Sequence, residues 1–485
     1  MTLFQRLFKQ TFIYGLATVL PRVLAIILVP LYVEVLLPEE YGIYASLMAF
    51  LILGNVLLSY GMETAFFRFV TKKGSENQNK VESTTLMSLL VSTLIFLVIS
   101  LLFRNPIAQI SEFKVEYVTY ALIILALDAL VVLPFVWYRV NEKPLKYAVI
   151  KILNVCFNLG FNLFFFLLLP KLAENSSMWS SFWHPENKVA YIFISNLIAS
   201  AITLAMVLPI YVKIGFHFDR VIWKQMIKYA IPVLIAGIAF SINEAFDRIL
   251  LKYLLPQDIA EVEVGLYSAC YKLGMFMTLF VMAFRLGIEP FFFNYSGEQN
   301  AKTTYAAITK YFTLFGCLIL LVVIIYIDIF KRILIPNSQY WEALKIVPLI
   351  LLANLFLGIY HNLSVWYKVT DRTKYGAYIS VFSAVVTLVL NYVLIPYIGY
   401  IGSAIATLAA YGSMMVLSYL YGRKYYDVPY DLKSILGFVS LAMVFSAISF
   451  YGLRGNLWIG TLLLILFVSI LIFSEKKEFM RIIRK

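Results

Sequence analysis

The sequence predicts an all-α polytopic membrane protein with about fourteen transmembrane helices. They form two six-helix lobes, related by a parallel pseudo-twofold repeat, with two further C-terminal helices. Composition, the spacing of apolar runs and an internal duplication predict this class. Of the 485 residues, 62% are hydrophobic and only 14% charged, and mean hydropathy is +0.84. A soluble domain lies nearer half apolar and a quarter charged, so this chain lacks the polar residues to cover a water-facing surface. The bilayer is its solvent.

Crossing the hydrocarbon core takes about 20 apolar residues. In the first half, runs of that length fall at roughly 11–33, 42–67, 83–103, 116–138, 145–169 and 189–212. The second half gives roughly 226–252, 263–291, 306–330, 343–367, 375–395 and 399–421, and the last two lie near 432–451 and 456–474. The first run follows Arg6 and Lys9. It is too long for a signal-peptide core and no small-x-small cleavage site follows, so it reads as a retained helix. Lys and Arg concentrate in alternate loops, such as Lys72, Lys73 and Lys80, then Arg139, Lys143 and Lys146, while the loop at Glu34, Glu39 and Glu40 has none. The positive-inside rule then favours an even helix count with both termini cytoplasmic, and the chain is expected in an inner membrane. The formal charge of +13 is thus spread over short loops as a topology signal. A nucleic-acid binder would gather it on one soluble face.

The duplication is carried by three matches in the same order. LLPEEYGIYAS at 36–46 recurs as LLPQD and VGLYSA between 254 and 269, GMETAFF at 61–67 as GIEPFFF at 287–293, and WYRVNEK at 137–143 as WYKVTDR at 366–372. The offset grows from 218 to 226 to 229, which chance similarity between apolar helices would not maintain. Each unit has six helices, so both enter the membrane from one side, making a parallel repeat of the transporter kind. The expected divisions are 1–215, 216–421 and 422–485, the last holding two helices and a basic tail. A polar insert at 171–188, with Trp179 and Trp183, has no counterpart in the second half and is expected to be a solvated loop.

The LPEEYG segment at 37–42, the Asp247-Arg248 pair and NYVLIPYIGYIGSAIAT at 391–407 resemble polysaccharide flippases of the O-antigen type. These belong to the multidrug/oligosaccharidyl-lipid/polysaccharide exporter superfamily. The resemblance covers nearly the whole chain. It implies flipping of a polyprenyl-pyrophosphate-linked oligosaccharide from the cytoplasmic to the outer leaflet, for surface polysaccharide biosynthesis. Its partners would be that lipid-linked substrate, membrane lipids and polysaccharide polymerase machinery. No cofactor is implied.

Ionisable groups inside a membrane are expensive, so each needs a reason. Thr11, Tyr14, Thr18 and Arg22 form one stripe, with Arg22 near mid-helix; it is either a cavity cation for pyrophosphate or acidic sugar, or half of an ion pair with Asp128. Lys151, Asn154, Asn158 and Asn162 share a face of the fifth helix at i, i+3, i+7 and i+11. That face suits sugar hydroxyls and equally suits helix–helix hydrogen bonding. The duplication sets Asn391 opposite Asn162. Lys272 lies deeper than Asp247 and Arg248 and is the best cavity candidate of the second half; with Arg22, Lys151, Asn154, Asn158, Asn162 and Asn391 it completes the substrate-binding candidates. Candidates for ion coupling or gating are Glu63, Asp128, Glu244, Asp247, Arg248 and Glu289, of which Glu63 and Glu289 match in the repeat.

Three function classes compete. A flippase accounts for the mixed cationic and amide faces. A MATE-like ion-coupled exporter of small cations would want an acidic, aromatic cavity, against Arg22 and Lys272. An enzyme such as a polymerase would want a large external domain, and the longest external loop here is the insert at 171–188. Cys156, Cys270 and Cys317 and the histidines His184, His217 and His361 have no metal-site or redox spacing, and no nucleophile–base set is visible.

Overall fold

The computed structural model describes residues 15, 17, 19–72, 75–295 and 297–483, and every regular element among them is helical. Among the described residues, thirteen helices are long and apolar enough to span a membrane. Of the expected first helix, near 11–33, residues 15, 17 and 19–33 are described; they are helical apart from a turn at Ile27, after which α1 runs Leu28–Val35. The spans are α2 (Pro38–Thr71), α3 (Gln78–Leu102), α4 (Val115–Val140), α5 (Pro144–Asn175), α6 (Pro185–Ile214) and α7 (Arg220–Leu254). Then come α8 (Gln257–Glu289), α9 (Ala301–Ile325), α10 (Ser338–Val369), α11 (Lys374–Ile398), α12 (Tyr400–Tyr425), α13 (Leu432–Gly452) and α14 (Leu457–Lys476). Along α3, Val91, Leu94, Ile95, Val98 and Leu102 are between 44% and 76% exposed. An apolar stripe of that length is unsuited to water and is what a lipid-facing helix presents.

The chain separates into two compact units, residues 1–265 and 266–485. Within the first, α4 packs on α6, α5 on α6 and α3 on α4; within the second, α10 packs on α12, α11 on α12 and α9 on α10. These are the same pairings shifted by six helices. The duplication also reaches the backbone. Glu142 and Asp371, equivalent in the WYRVNEK and WYKVTDR segments, are both left-handed, at φ 51° and 56°. Short helices Arg104–Ser111 and Ile327–Leu334 follow the third helix of each repeat.

The LPEEYG segment is a helix start. Leu37 is extended, Pro38 occupies the first turn, and the Leu37 N–H donates to Glu40 Oε2 at 2.9 Å; this satisfies a donor that the helix itself leaves orphaned. Gly42 then permits a backbone contact with α8. A Cβ on Gly42 would stand 1.8 Å from the Glu261 carbonyl oxygen, and one on Gly265 would stand 1.8 Å from that of Pro38. The two glycines are repeat equivalents, so the contact is reciprocal.

Three elements depart from the expected pattern. α2 breaks at Tyr60 and Gly61, both left-handed, because Gly61 lies against Ala230 of α7, 2.5 Å from where its Cβ would be. α8 carries a 3₁₀ turn at Lys272–Gly274 where Gly274 meets Ile350. The insert is only partly a loop: α5 runs on through a π-helical turn at Phe164–Leu168 to Asn175, and Ser177–Ser180 makes a further helical turn.

Candidate functional site

A series of polar contacts lies between α4, α5 and α6 in the first unit. Asp128 of α4 accepts from Ser200 Oγ at 2.8 Å and is bonded also by Asn55. Lys151 of α5 lies within electrostatic reach of that carboxylate and places its Nζ 4.5 Å from the Phe135 ring centroid. Asn154 Nδ2 donates to Thr203 Oγ1 at 2.8 Å, and Thr203 in turn donates to the Ala199 carbonyl. Asn162 is wholly buried; it accepts from Tyr32 O–H at 2.9 Å and donates to Asn158 O and Oδ1 at 2.8 and 3.0 Å. Lys151, Asn154 and Asn158 remain partly exposed. The stripe on α5 therefore divides into an open end at Lys151–Asn158 and a closed end at Asn162, which α1 covers.

In the second unit, Asn391 is closed in the same way as Asn162. It is 0% exposed, donates to Thr387 O at 2.8 Å and accepts from Ser403 Oγ at 2.7 Å. Lys272 is partly exposed in the 3₁₀ turn of α8, and Arg22 is exposed. Thr11, Tyr14 and Thr18, expected to share Arg22's stripe, lie outside the described residues.

The duplicated Glu63 and Glu289 turn out to hold duplicated partners. Arg139 Nη1 bridges to Glu63 at 2.9 Å, and Lys368 pairs with Glu289. Arg139 and Lys368 are the third residues of WYRVNEK and WYKVTDR, so one ion pair joins the second helix of each repeat to the fourth. The environments differ. Glu63 and Arg139 are nearly half exposed, whereas Glu289 and Lys368 are about a third exposed or less. Glu289 also meets Arg285 at 3.4 Å, in a cleft with His361 and Asn362 walled by Phe284 and Phe312.

On α7, Glu244 is exposed and Asp247 buried, with Arg248 bonded to the Asp247 carboxylate and the Glu244 carbonyl, at 2.9 and 3.0 Å. Sequence reasoning missed two other buried pairs. Lys252 of α7 pairs with Glu261 of α8, which Ser46 of α2 approaches at 3.4 Å. Lys310 of α9 meets Glu475 of α14 at 2.7 Å and Asp431 at 3.3 Å. The available signal was the same in both cases, a charge inside an apolar span. Sequence spacing did not reveal the partner.

Outside the spans, Asp219 caps α7. Its carboxylate accepts from the Ile222 and Val221 amides at 3.0 and 2.8 Å, which hold it below the usual carboxylate range, Ile222 most strongly.

A family model described as a polysaccharide biosynthesis protein matches residues 7–284, and one described as MatE matches 232–393. No curated protein sequence matches. Among solved structures, a lipid II flippase MurJ in its inward closed conformation aligns with a TM-score of 0.71 at 16% identity, covering 96% of this chain and 99% of that one. An inward-facing multidrug resistance MATE transporter of the MOP superfamily gives 0.60 at 14% identity over 89% and 96%. A MOP superfamily transporter from Pyrococcus furiosus, described as having a binding pocket of reversed polarity, gives 0.56 at 15% identity over 86% and 94%.

Proposed function

The chain belongs to the polysaccharide biosynthesis protein family, and on that premise we propose that it flips a polyprenyl-pyrophosphate-linked oligosaccharide from the cytoplasmic to the outer leaflet of the bacterial inner membrane, with both termini cytoplasmic. The family match over 7–284 carries the reading. The physics agrees with it. A glycan on a lipid carrier cannot cross hydrocarbon unaided, because its hydroxyls and phosphates would lose their hydration together. A polar face inside the membrane lowers that barrier while the lipid tail stays in the bilayer. Arg22 and Lys151 of the first unit are the cations proposed for the pyrophosphate, Lys272 is the candidate cation of the second unit, and Asn154 and Asn158 offer donors and acceptors to sugar hydroxyls. Asn162 and Asn391 hold helices together at the closed ends. Asp128, bonded to Ser200 and near Lys151, is the coupling carboxylate we favour over Glu63, Glu244, Asp247 and Glu289. Alternating access needs no covalent step, and polysaccharide polymerase machinery would receive the flipped product.

A second reading, a MATE-like exporter of small molecules, is favoured by the match over 232–393. A deletion strain separates the two. The flippase reading expects surface polysaccharide lost and lipid-linked oligosaccharide trapped in the cytoplasmic leaflet, with cationic-drug sensitivity unchanged. A drug-sensitive strain with normal surface glycan would establish the exporter instead.

A further inference from the structure

The insert between α5 and α6 is the main feature that breaks the duplication, since α11 and α12 are joined through Gly399 alone. It is also a built structure. Trp183 stacks on Tyr191 with centroids 5.5 Å apart and planes 11° from parallel, and Phe165 stacks on the same Tyr191 at 5.1 Å and 21°. The Tyr191 hydroxyl accepts from the His184 N–H at 2.6 Å and donates to the Phe182 carbonyl at 2.7 Å, strapping the insert to α6. Lys188 donates to the Val35 carbonyl at 2.9 Å, fastening the base of the insert to the end of α1. The π-helical turn at Phe164–Leu168 sends consecutive rings into this assembly, Phe165 to Tyr191 and Phe164 to Trp179; such turns are frequent at functional sites. Phe182 is 59% exposed, and Trp179 and Trp183 are partly exposed.

We propose that Trp179, Phe182 and Trp183 form a sugar-stacking platform that holds a pyranose ring of the transported glycan on the outer side; this rests on the flippase reading and deepens it. A pyranose offers an apolar C–H face and an equatorial rim of hydroxyls. The faces of the tryptophans and Phe182 match the first, and the indole N–H groups of Trp179 and Trp183 match the second. A rigid platform loses little entropy on binding, which is what the Tyr191 strap provides. The two repeats share their packing plan, so recognition of a particular glycan belongs where they differ, and the insert is such a place. Interfacial anchoring alone would need only apolar bulk at these positions, so leucine substitutions tell the two roles apart.

The test uses full-length protein in nanodiscs and, as probe, the lipid-free oligosaccharide repeat unit released by mild acid from the host's surface glycan. Quenching of tryptophan fluorescence should be saturable. Phe182→Leu should weaken binding roughly ten-fold, the loss of one stacking ring, and Phe182→Tyr should restore it. Trp179→Leu is read by export of surface glycan in the complemented deletion strain, where it should slow export while Trp179→Tyr does not. Trp183→Leu disturbs the Tyr191 stack, so the other two positions decide if that variant fails to reach the membrane. Absence of quenching in the unmodified protein, or leucine variants equal to wild type in binding and export, would overturn the platform. Normal surface glycan in the uncomplemented deletion strain would instead overturn the flippase premise.

Discussion

Lys310 gives the sharpest test of what holds the two C-terminal helices to the rest of the second unit. Its side chain is 11% exposed and that of Glu475 4%, so neither charge is solvated. At 2.7 Å their Coulomb attraction is about 6 kcal/mol for an effective dielectric near 20, and most of that is offset by the cost of removing both ions from water. Lys310→Met leaves the Glu475 carboxylate buried beside Asp431, another anion, and should cost about 3–5 kcal/mol. Glu475→Met should cost less, because Asp431, whose side chain is 49% exposed, still neutralises the ammonium at 3.3 Å. The double variant removes both ions, leaves two unbranched apolar chains and should return to within about 1 kcal/mol of wild type. Unfolding of the purified protein by SDS titration measures the three values, and proteolysis of the α12–α13 connection reports whether α13 and α14 detach. If the two single losses simply add in the double variant, the residues act separately and the clamp does not exist.

The duplicated ion pair should be unequal in its two copies. Glu63→Gln, at a pair nearly half exposed on both sides, should shift stability by less than about 1 kcal/mol, whereas Glu289→Gln should be measurably more damaging in the same titration. At the helix crossing, Gly42→Ala puts a methyl 1.8 Å from a carbonyl oxygen, so membrane abundance should fall sharply; abundance equal to wild type would mean that the backbones can part there at little cost. Arg22 is exposed, so Arg22→Ala should leave abundance near normal while surface glycan is lost; loss of the folded protein would make Arg22 structural. At the start of α7, the Asp219 carboxylate is depressed by the Ile222 and Val221 amides. Its contribution is therefore present above the ordinary carboxylate pKa near 4 and disappears only as pH falls through the lower folded value. Wild type and Asp219→Ala should accordingly differ in hydrogen exchange at residues 220–223 at neutral pH and converge once pH has fallen through that depressed value.

How much of this was legible depends on whether a feature is periodic. Apolar runs of membrane length and the order of the repeats are patterns within one segment or between two copies of it, and the structure follows both: the helix order, the shared packing plan and the matched left-handed residues Glu142 and Asp371. The stripe Lys151, Asn154, Asn158 and Asn162 was visible for the same reason. Its division into an open and a closed end was not, since Asn162 is closed by Tyr32, 130 positions away. Lys310 and Glu475 are 165 positions apart on helices with no common motif, and nothing local registers one against the other. Glu63 and Arg139 were each conspicuous alone, one as a repeated acid and one inside a repeated motif, yet their meeting depends on how α2 and α4 align.

The duplication also supplies a rule for reading what remained. A feature present in both copies, such as the Glu–Arg and Glu–Lys pairs or the buried Asn162 and Asn391, serves needs that both units share, chiefly packing and registration of helices. A feature in one copy has no such common explanation. The aromatic insert, the 3₁₀ turn at Lys272 and the Asp128–Ser200–Lys151 group are all of this second kind. They are the places where the duplicated plan departs from itself, and the lipid-linked glycan proposed above as substrate, with a lipid tail at one end and sugars at the other, is asymmetric too. Substitutions in the singular features should therefore alter export with little loss of folded protein, and those at the buried duplicated positions Asn162 and Asn391 should do the reverse.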